Sequence, residues 1–299
     1  MDQVITLIAP PGALRPAFAG ETRAALGALG AQAGTPDWLA PGEAADIPFA
    51  GLAAEQALAA IRAALGDAPV DAIAQPAEGR RKRLLIADMD STIVTTETLD
   101  ELAAFAGLKE EISAITRRAM NGELDFEGAL RERVGMLKGL PVSALEQTWA
   151  ETALMDGAAE LVGTMRANDA HCALVSGGFT FFTSRVAELV GFHEHHSNTL
   201  LLDGDRLAGK VGAPILGRDA KLATLKRLAA ELGLPLAATM AVGDGANDLA
   251  MLGAAGLGVA FKAKPVVAAS ARARVDHCGL RALLFAQGYR EHDIRAAMA

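Results

Sequence analysis

The sequence predicts an α/β fold built on a parallel sheet with helices on both faces. Three observations carry this. Four short, continuously apolar segments lie beyond residue 83: LLIAD (84–88), CALVS (172–176), MAVGD (240–244) and GLGVA (256–260). Helical stretches alternate with them, which is how parallel strands are joined and covered. The helical stretch between the first two strands, residues 96–168, is too long for a plain crossover and so holds an inserted cap.

Ahead of the sheet, residues 1–76 read as a small α+β unit. VITLIA (4–9) and VDAIAQ (70–75) are apolar enough for strands, and FAGETRAALGAL (18–29) and EQALAAIRAAL (55–65) have helical periodicity. Between them, around 31–50, Gly and Pro break the pattern too often for strands to be assigned. QPAEGRRKR (75–83) reads as a linker, with RRKR (80–83) a solvated charge run. The expected domains are therefore 1–76 and 77–299, with the helical cap at about 97–168. Past the second strand, NTLLLDGDRLAGKV (198–211) reads as a hairpin turning at Asp203-Gly204-Asp205. In HEHH (193–196), His193 and His195 share a strand-like phase, but no third zinc ligand stands near and a solvated loop is expected.

Composition narrows the function. Hydrophobic residues make up 51% of the chain, ample for a core, and much of this is helix-favouring Ala. A net charge of -8 argues against a nucleic-acid surface. No apolar run reaches the roughly 18 residues of a membrane span. MDQVITLIAP has no basic residue before its apolar run, so no signal peptide is expected. Cys172 and Cys278 match no metal spacing and suit a reducing cytoplasm, with Cys172 a buried spacer in its strand.

Ligands of an open parallel sheet bind at the carboxyl ends of its strands. There the sequence places Asp88 and Asp90, then Ser176 with Gly177 and Gly178, then Asp244 with Asn247 and Asp248, while Lys221 opens the helix KLATLKRLAAELG. Clustered carboxylates are tolerable around a divalent cation, and oxygen ligands of this kind suit Mg²⁺ beside a substrate phosphate.

DMDST (88–92), SGG (176–178), Lys221 and GDGAND (243–248) together resemble the four motifs of the haloacid dehalogenase superfamily of phosphatases, over about residues 84–290. Within that superfamily, TTETLDEL (95–102) and FEGALRERVGMLKGL (126–140) are similar to stretches of the phosphoserine phosphatases. One departure is Ala129, where those proteins usually carry a serine. The resemblance implies a Rossmann-like core with an inserted helical cap. It also implies hydrolysis of O-phospho-L-serine to L-serine and phosphate through an aspartyl-phosphate, the last step of serine biosynthesis, with Mg²⁺ as cofactor. The N-terminal unit stands where many bacterial members carry a small ligand-binding, ACT-like domain.

Residue roles follow from the resemblance. Asp88 is the nucleophile and Asp90 the acid and base; an acid at the second position favours ester hydrolysis over dehalogenation. The metal ligands are Asp88, the main-chain carbonyl of Asp90, Asp244 and Asp248. Ser176, the Gly177 N–H, Lys221 and Asn247 meet the phosphate, and Thr92 braces the aspartate loop. Glu97 takes the substrate ammonium and Arg133 its carboxylate; Arg131, out of helical phase with Arg133, is the competing candidate. Met120 and Phe126 form an apolar lid. The competing functions are another small-phosphomonoester phosphatase or phosphotransferase of the same superfamily, or a sensing module without catalysis. The expected partner is a small-molecule substrate, not nucleic acid or membrane. An amino-acid effector at the N-terminal unit and a homodimer are left open.

Overall fold

The computed structural model describes residues 1–120 and 123–297. The first unit is a five-stranded antiparallel sheet with two helices: β1 (Gln3–Ile8), α1 (Pro16–Ala28), β2 (Gln32–Ala33), β3 (Asp37–Ala40), β4 (Ala44–Ala50), α2 (Ala54–Leu65) and β5 (Asp71–Pro76). β1 lies between β4 and β5. The weakly patterned stretch at 31–50 thus supplies three of the strands. Their signal fails because β4 carries Asp46 and Pro48 and pairs with short, irregular partners.

Alternation in β1 explains why it reads as one apolar run. Ile5 and Leu7 pack under α1 and α2 with Ile47, Phe49 and Ile61. Ile8 faces the other way and joins the large core beside Ile73, Leu283 and Phe285. A sheet buried on both faces has no polar side to display. The first unit is therefore built onto the rest of the chain. Asp71 accepts the N–H groups of Asp276, His277 and Cys278, and Gln75 donates to the carbonyl of Ala286 at 2.6 Å. The RRKR run is only partly solvated: Arg81 and Arg83 are exposed, but the run also packs into the fold. Arg80 pairs with Asp46 at 2.5 Å, Arg81 lies over the Tyr289 ring, and buried Lys82 donates to the carbonyls of Gly79 and Ala237.

The second unit follows as β6 (Leu84–Ala87), α3 (Thr98–Ala104), α4 (Lys109–Met120), α5 (Phe126–Met136), α6 (Ser143–Glu151), α7 (Ala158–Ala167), β7 (His171–Phe179), α8 (Thr180–Val190) and β8 (Glu194–Asn198). Then come β9 (Leu200–Asp203), β10 (Arg206–Val211), α9 (Arg218–Glu231), β11 (Thr239–Gly243), α10 (Leu249–Ala254), β12 (Leu257–Phe261), α11 (Pro265–Ser270), β13 (Ala273–Val275), α12 (Ala282–Ala286) and α13 (Glu291–Ala297). The sheet order is β13-β12-β11-β6-β7-β8, all parallel. β6 is central, flanked by β11 and β7, so the three strands that end in chemistry are neighbours.

Helices α3 to α6 form the cap, whereas α7, inside the expected cap range, packs against β7, α8, α12 and α13. The β9–β10 hairpin docks on the cap behind α5, with Leu207 exchanging main-chain hydrogen bonds with Gly139 and Leu140. A Cβ on Gly209 would stand 2.7 Å from the Lys138 Cβ, so the approach is close. HEHH is not a solvated loop: residues 194–198 form the sheet edge, with Glu194 held by His171 and His196 at 2.7 Å each. Cys172 sits fully buried in β7, its thiol pushed up to about 12 by burial. Among the described residues no helix is long and apolar enough to cross a membrane.

Candidate active site

β6 delivers Asp88 to the sheet edge because its four apolar residues are buried on both faces and its register with β11 continues one step beyond the strand. The Asp88 N–H donates to the Val242 carbonyl at 3.0 Å. The chain then turns sharply. Ser91 sits at φ 56, a left-handed conformation uncommon for a residue with a Cβ, and Thr92, Ile93 and Val94 all donate to the Met89 carbonyl. The turn is braced from behind by Leu154 and Met155 against Val94 and Ile93.

Asp88, Asp244 and Asp248 are all buried and offer carboxylate oxygens within 4.8 Å of one another. Lys221 lies between two of them, its ammonium 2.8 Å from Asp88 and 2.5 Å from Asp248. Asp248 also accepts the N–H groups of Asp244 and Gly245 at 3.1 and 3.0 Å, tying it to the loop as well as to the lysine. A Cβ on Gly243 would stand 2.4 Å from that carboxylate, so only glycine leaves room for it. Thr92 donates to Asp244 at 3.5 Å. Asp90 stands apart from the three acids: its carboxylate accepts from the Thr98 N–H at 2.8 Å and from Ser176 at 3.4 Å.

Burial pushes the Asp88 carboxyl well above the ordinary range; Asp248 adds to this and Lys221 opposes it. Burial raises Asp90 too, against the Thr98 N–H. Asp244 rises to about 6 through burial and the charge of Asp248, with Lys264 opposing. Burial works against the charge of Lys221, but Asp248 and Asp88 outweigh it and raise its pKa. So many acids crowded in a low dielectric are stabilised by positive charge. The donor set is oxygen alone, which fits a hard divalent cation.

A cavity of about 30 Å³ opens on this edge, lined by Asp88, Asp90, Glu97, Phe126, Arg133 and Ser176 among others. Its walls come from two layers: the sheet below and the cap above. Glu97 accepts from Ser91 at 2.8 Å, and burial together with the charge of Asp90 lifts its carboxyl to about 7. Arg133 is buried, donating to Thr116 Oγ1 at 2.9 Å and to the Ala129 carbonyl at 3.2 Å, while Arg131 is exposed and bonded to Glu127. Because Ala129 serves Arg133 through its main chain, the absence of a serine hydroxyl leaves that contact intact. The Phe126 ring lies directly over Gly177, where a Cβ would stand 2.6 Å from Cζ. The Ser176 hydroxyl accepts the Gly178 N–H at 2.8 Å. Asn247 is buried, its Oδ1 without a hydrogen-bond partner among the described residues. Met120 ends α4, and its side chain lies outside the described residues.

Sequence reasoning missed three contributors. Thr116 and Asp100 form a relay at 2.6 Å that holds Arg133. Lys264 places its ammonium 2.9 Å from Asp244 and 4.0 Å from Glu97. The one available signal was FKAKP, a lysine just past a strand end and before a proline.

Residues 85–253 match the family of haloacid dehalogenase-like hydrolases. A phosphoserine phosphatase of Streptomyces coelicolor is 42% identical over 241 residues, 81% of this chain, which spans 58% of that relative's length. A haloacid dehalogenase family hydrolase of Salmonella enterica serovar Typhi superposes with a TM-score of 0.81 at 30% identity, over 95% of this chain and 98% of that one. A solved structure described as a phospho-aspartyl intermediate analogue of phosphoserine phosphatase gives a TM-score of 0.66 at 38% identity, over 69% of this chain and 98% of that one.

Proposed function

The chain belongs to the haloacid dehalogenase-like hydrolase family, and from that premise we propose that it is a cytoplasmic, Mg²⁺-dependent phosphoserine phosphatase. It converts O-phospho-L-serine and water to L-serine and phosphate. One observation carries the reading: a single cavity is lined both by the Asp88–Asp90 pair and by Glu97 with Arg133. The first pair suits phosphoryl transfer. The second offers opposite charges to the ammonium and carboxylate of an amino acid, the guanidinium in two-pronged fashion.

Asp88 attacks the phosphorus, and the bond from phosphorus to the serine oxygen breaks. Asp90, whose carboxyl burial raises above the ordinary range, gives its proton to the departing serine oxygen. Its carboxylate then takes a proton from the water that attacks the aspartyl-phosphate, releasing phosphate and restoring Asp88. Splitting one hard displacement into two is the gain of a covalent route. Lys221 offsets the charge of Asp88 and of the transferring group. Ser176 and the Gly177 N–H donate to phosphate oxygens, with the Asn247 amide beside them. Asp88, Asp244, Asp248 and the Asp90 carbonyl would hold the cation, which would supply neutralising positive charge for phosphoryl transfer. Phe126, closing on Gly177, excludes water.

Phosphate release from a panel of phosphomonoesters, with and without EDTA, tests the reading. Phosphoserine should lead the panel, EDTA should stop turnover, and Asp88→Asn should lower kcat by at least about a thousandfold while the protein stays folded. Near-normal turnover by that variant removes Asp88 from its role. Transfer of phosphate to an added alcohol in place of water would make the protein a phosphotransferase.

A further inference from the structure

Lys264 is placed with more care than a surface lysine needs. Its N–H donates to the Asp244 carbonyl at 2.9 Å, and its ammonium returns to the carboxylate of that same residue at 2.9 Å. Pro265 opens α11 directly after it, which confines Lys264 to the extended conformation it adopts, φ -57 and ψ 148. Its backbone thus has little freedom to carry the ammonium elsewhere, although the side chain is still one-third open to solvent, at 32%. The acids it faces are crowded. Asp88, Asp244 and Asp248 converge within 4.8 Å, and Glu97 stands 4.0 Å from the same ammonium. Lys221 is spent on Asp88 and Asp248, and Arg133 lies on the cap side. Among the described residues Asp244 therefore has Lys264 as its one paired cation.

We propose that Lys264 is a built-in counter-ion for the cation site. Its ammonium occupies Asp244 while no divalent cation is bound and yields that carboxylate when one arrives. The inference rests on the reading of the three acids as a cation site. Two consequences follow from charge alone. A positive charge that must be displaced from a ligand, and that stays nearby, weakens binding of a second cation, so the native lysine keeps the metal exchangeable. The same charge relieves repulsion among buried carboxylates, so it supports the fold when the site is empty.

Titration calorimetry of MgCl₂ into the metal-free protein separates the outcomes. Lys264→Met should bind Mg²⁺ about tenfold more tightly than the native protein, a difference of about 1.4 kcal/mol, and should melt at a lower temperature in EDTA. Lys264→Arg, which keeps the charge, should restore both values towards the native ones. A lysine that served only to support the loop would loosen the site on removal, so tighter binding is the distinguishing result. Asp244→Asn should lose Mg²⁺ binding. If the native protein binds Mg²⁺ and Lys264→Met binds it equally or more weakly, the counter-ion role is wrong and the cation site stands. If the native protein binds no Mg²⁺, the cation site itself fails, and this role with it.

Discussion

Gly177→Ala tests whether the closed cap is the working one. Gly177 is not in a left-handed conformation, so alanine fits its backbone without strain. The added Cβ would stand 2.6 Å from Phe126 Cζ and 3.2 Å from Cε2, whereas carbon atoms in contact prefer about 3.5–4.0 Å. The ring must retreat by about 1 Å, and the cap that carries it moves Arg133 away from Asp88. Misplacing a bound group by that much costs about a hundredfold in rate. We expect kcat/KM for phosphoserine to fall by about 100-fold, about 2.7 kcal/mol of transition-state stabilisation, with the melting temperature nearly unchanged. Steady-state phosphate release measures it. The same substitution in a Phe126→Ala background meets no ring, so its penalty there should shrink to within about threefold, as expected of a coupled pair. Equal penalties in both backgrounds would refute the steric account.

Two further outcomes follow from the charges. Arg133→Ala should lower kcat/KM for phosphoserine by about 10- to 100-fold, the worth of a charge-assisted contact, and leave a small aryl phosphate within about threefold; equal losses on both would show that Arg133 does not grip the substrate carboxylate. In EDTA the melting temperature should fall as pH rises from 5 to 7.5. The Glu97 carboxyl is raised from 4.5 to about 7 in the fold, so the folded protein holds this proton more tightly than the unfolded chain and loses stability between those values. Asp244, raised to about 6, acts in the same direction over a lower range. Calorimetric scans across this range should show a flatter profile for Glu97→Gln, and an unchanged slope would contradict the assignment.

Local pattern was enough wherever one segment made its own case. Leu84–Ala87 is apolar because both of its faces are covered, and that run announced a central strand whatever its neighbours were. The hairpin at 198–211 announced itself through its Asp-Gly turn. Asp88 and Asp244 stand just past the ends of β6 and β11, which sequence spacing locates, whereas Ser176 lies within β7, three residues before its end, and Lys221 lies in the first turn of α9, where the family resemblance pointed to it. The elements at 31–50 escaped for the opposite reason: their pairing depends on β1 and on a partner surface far along the chain.

What the sequence by itself determined was the parallel core, the order of its strand ends and the identity of the acids there, because these depend on residues close together in the chain. Only the tertiary structure shows Arg133 buried at the cavity and Arg131 exposed beside Glu127, since the phase of α5 against the sheet is set by packing on α4 and the β9–β10 hairpin. It alone joined the N-terminal sheet to the core through Asp71 and Gln75, and turned RRKR from a charge run into part of that seam. It alone brought Lys264 to Asp244, twenty residues on, because β11 and β12 end side by side and a charge recognises distance in space, not along the chain.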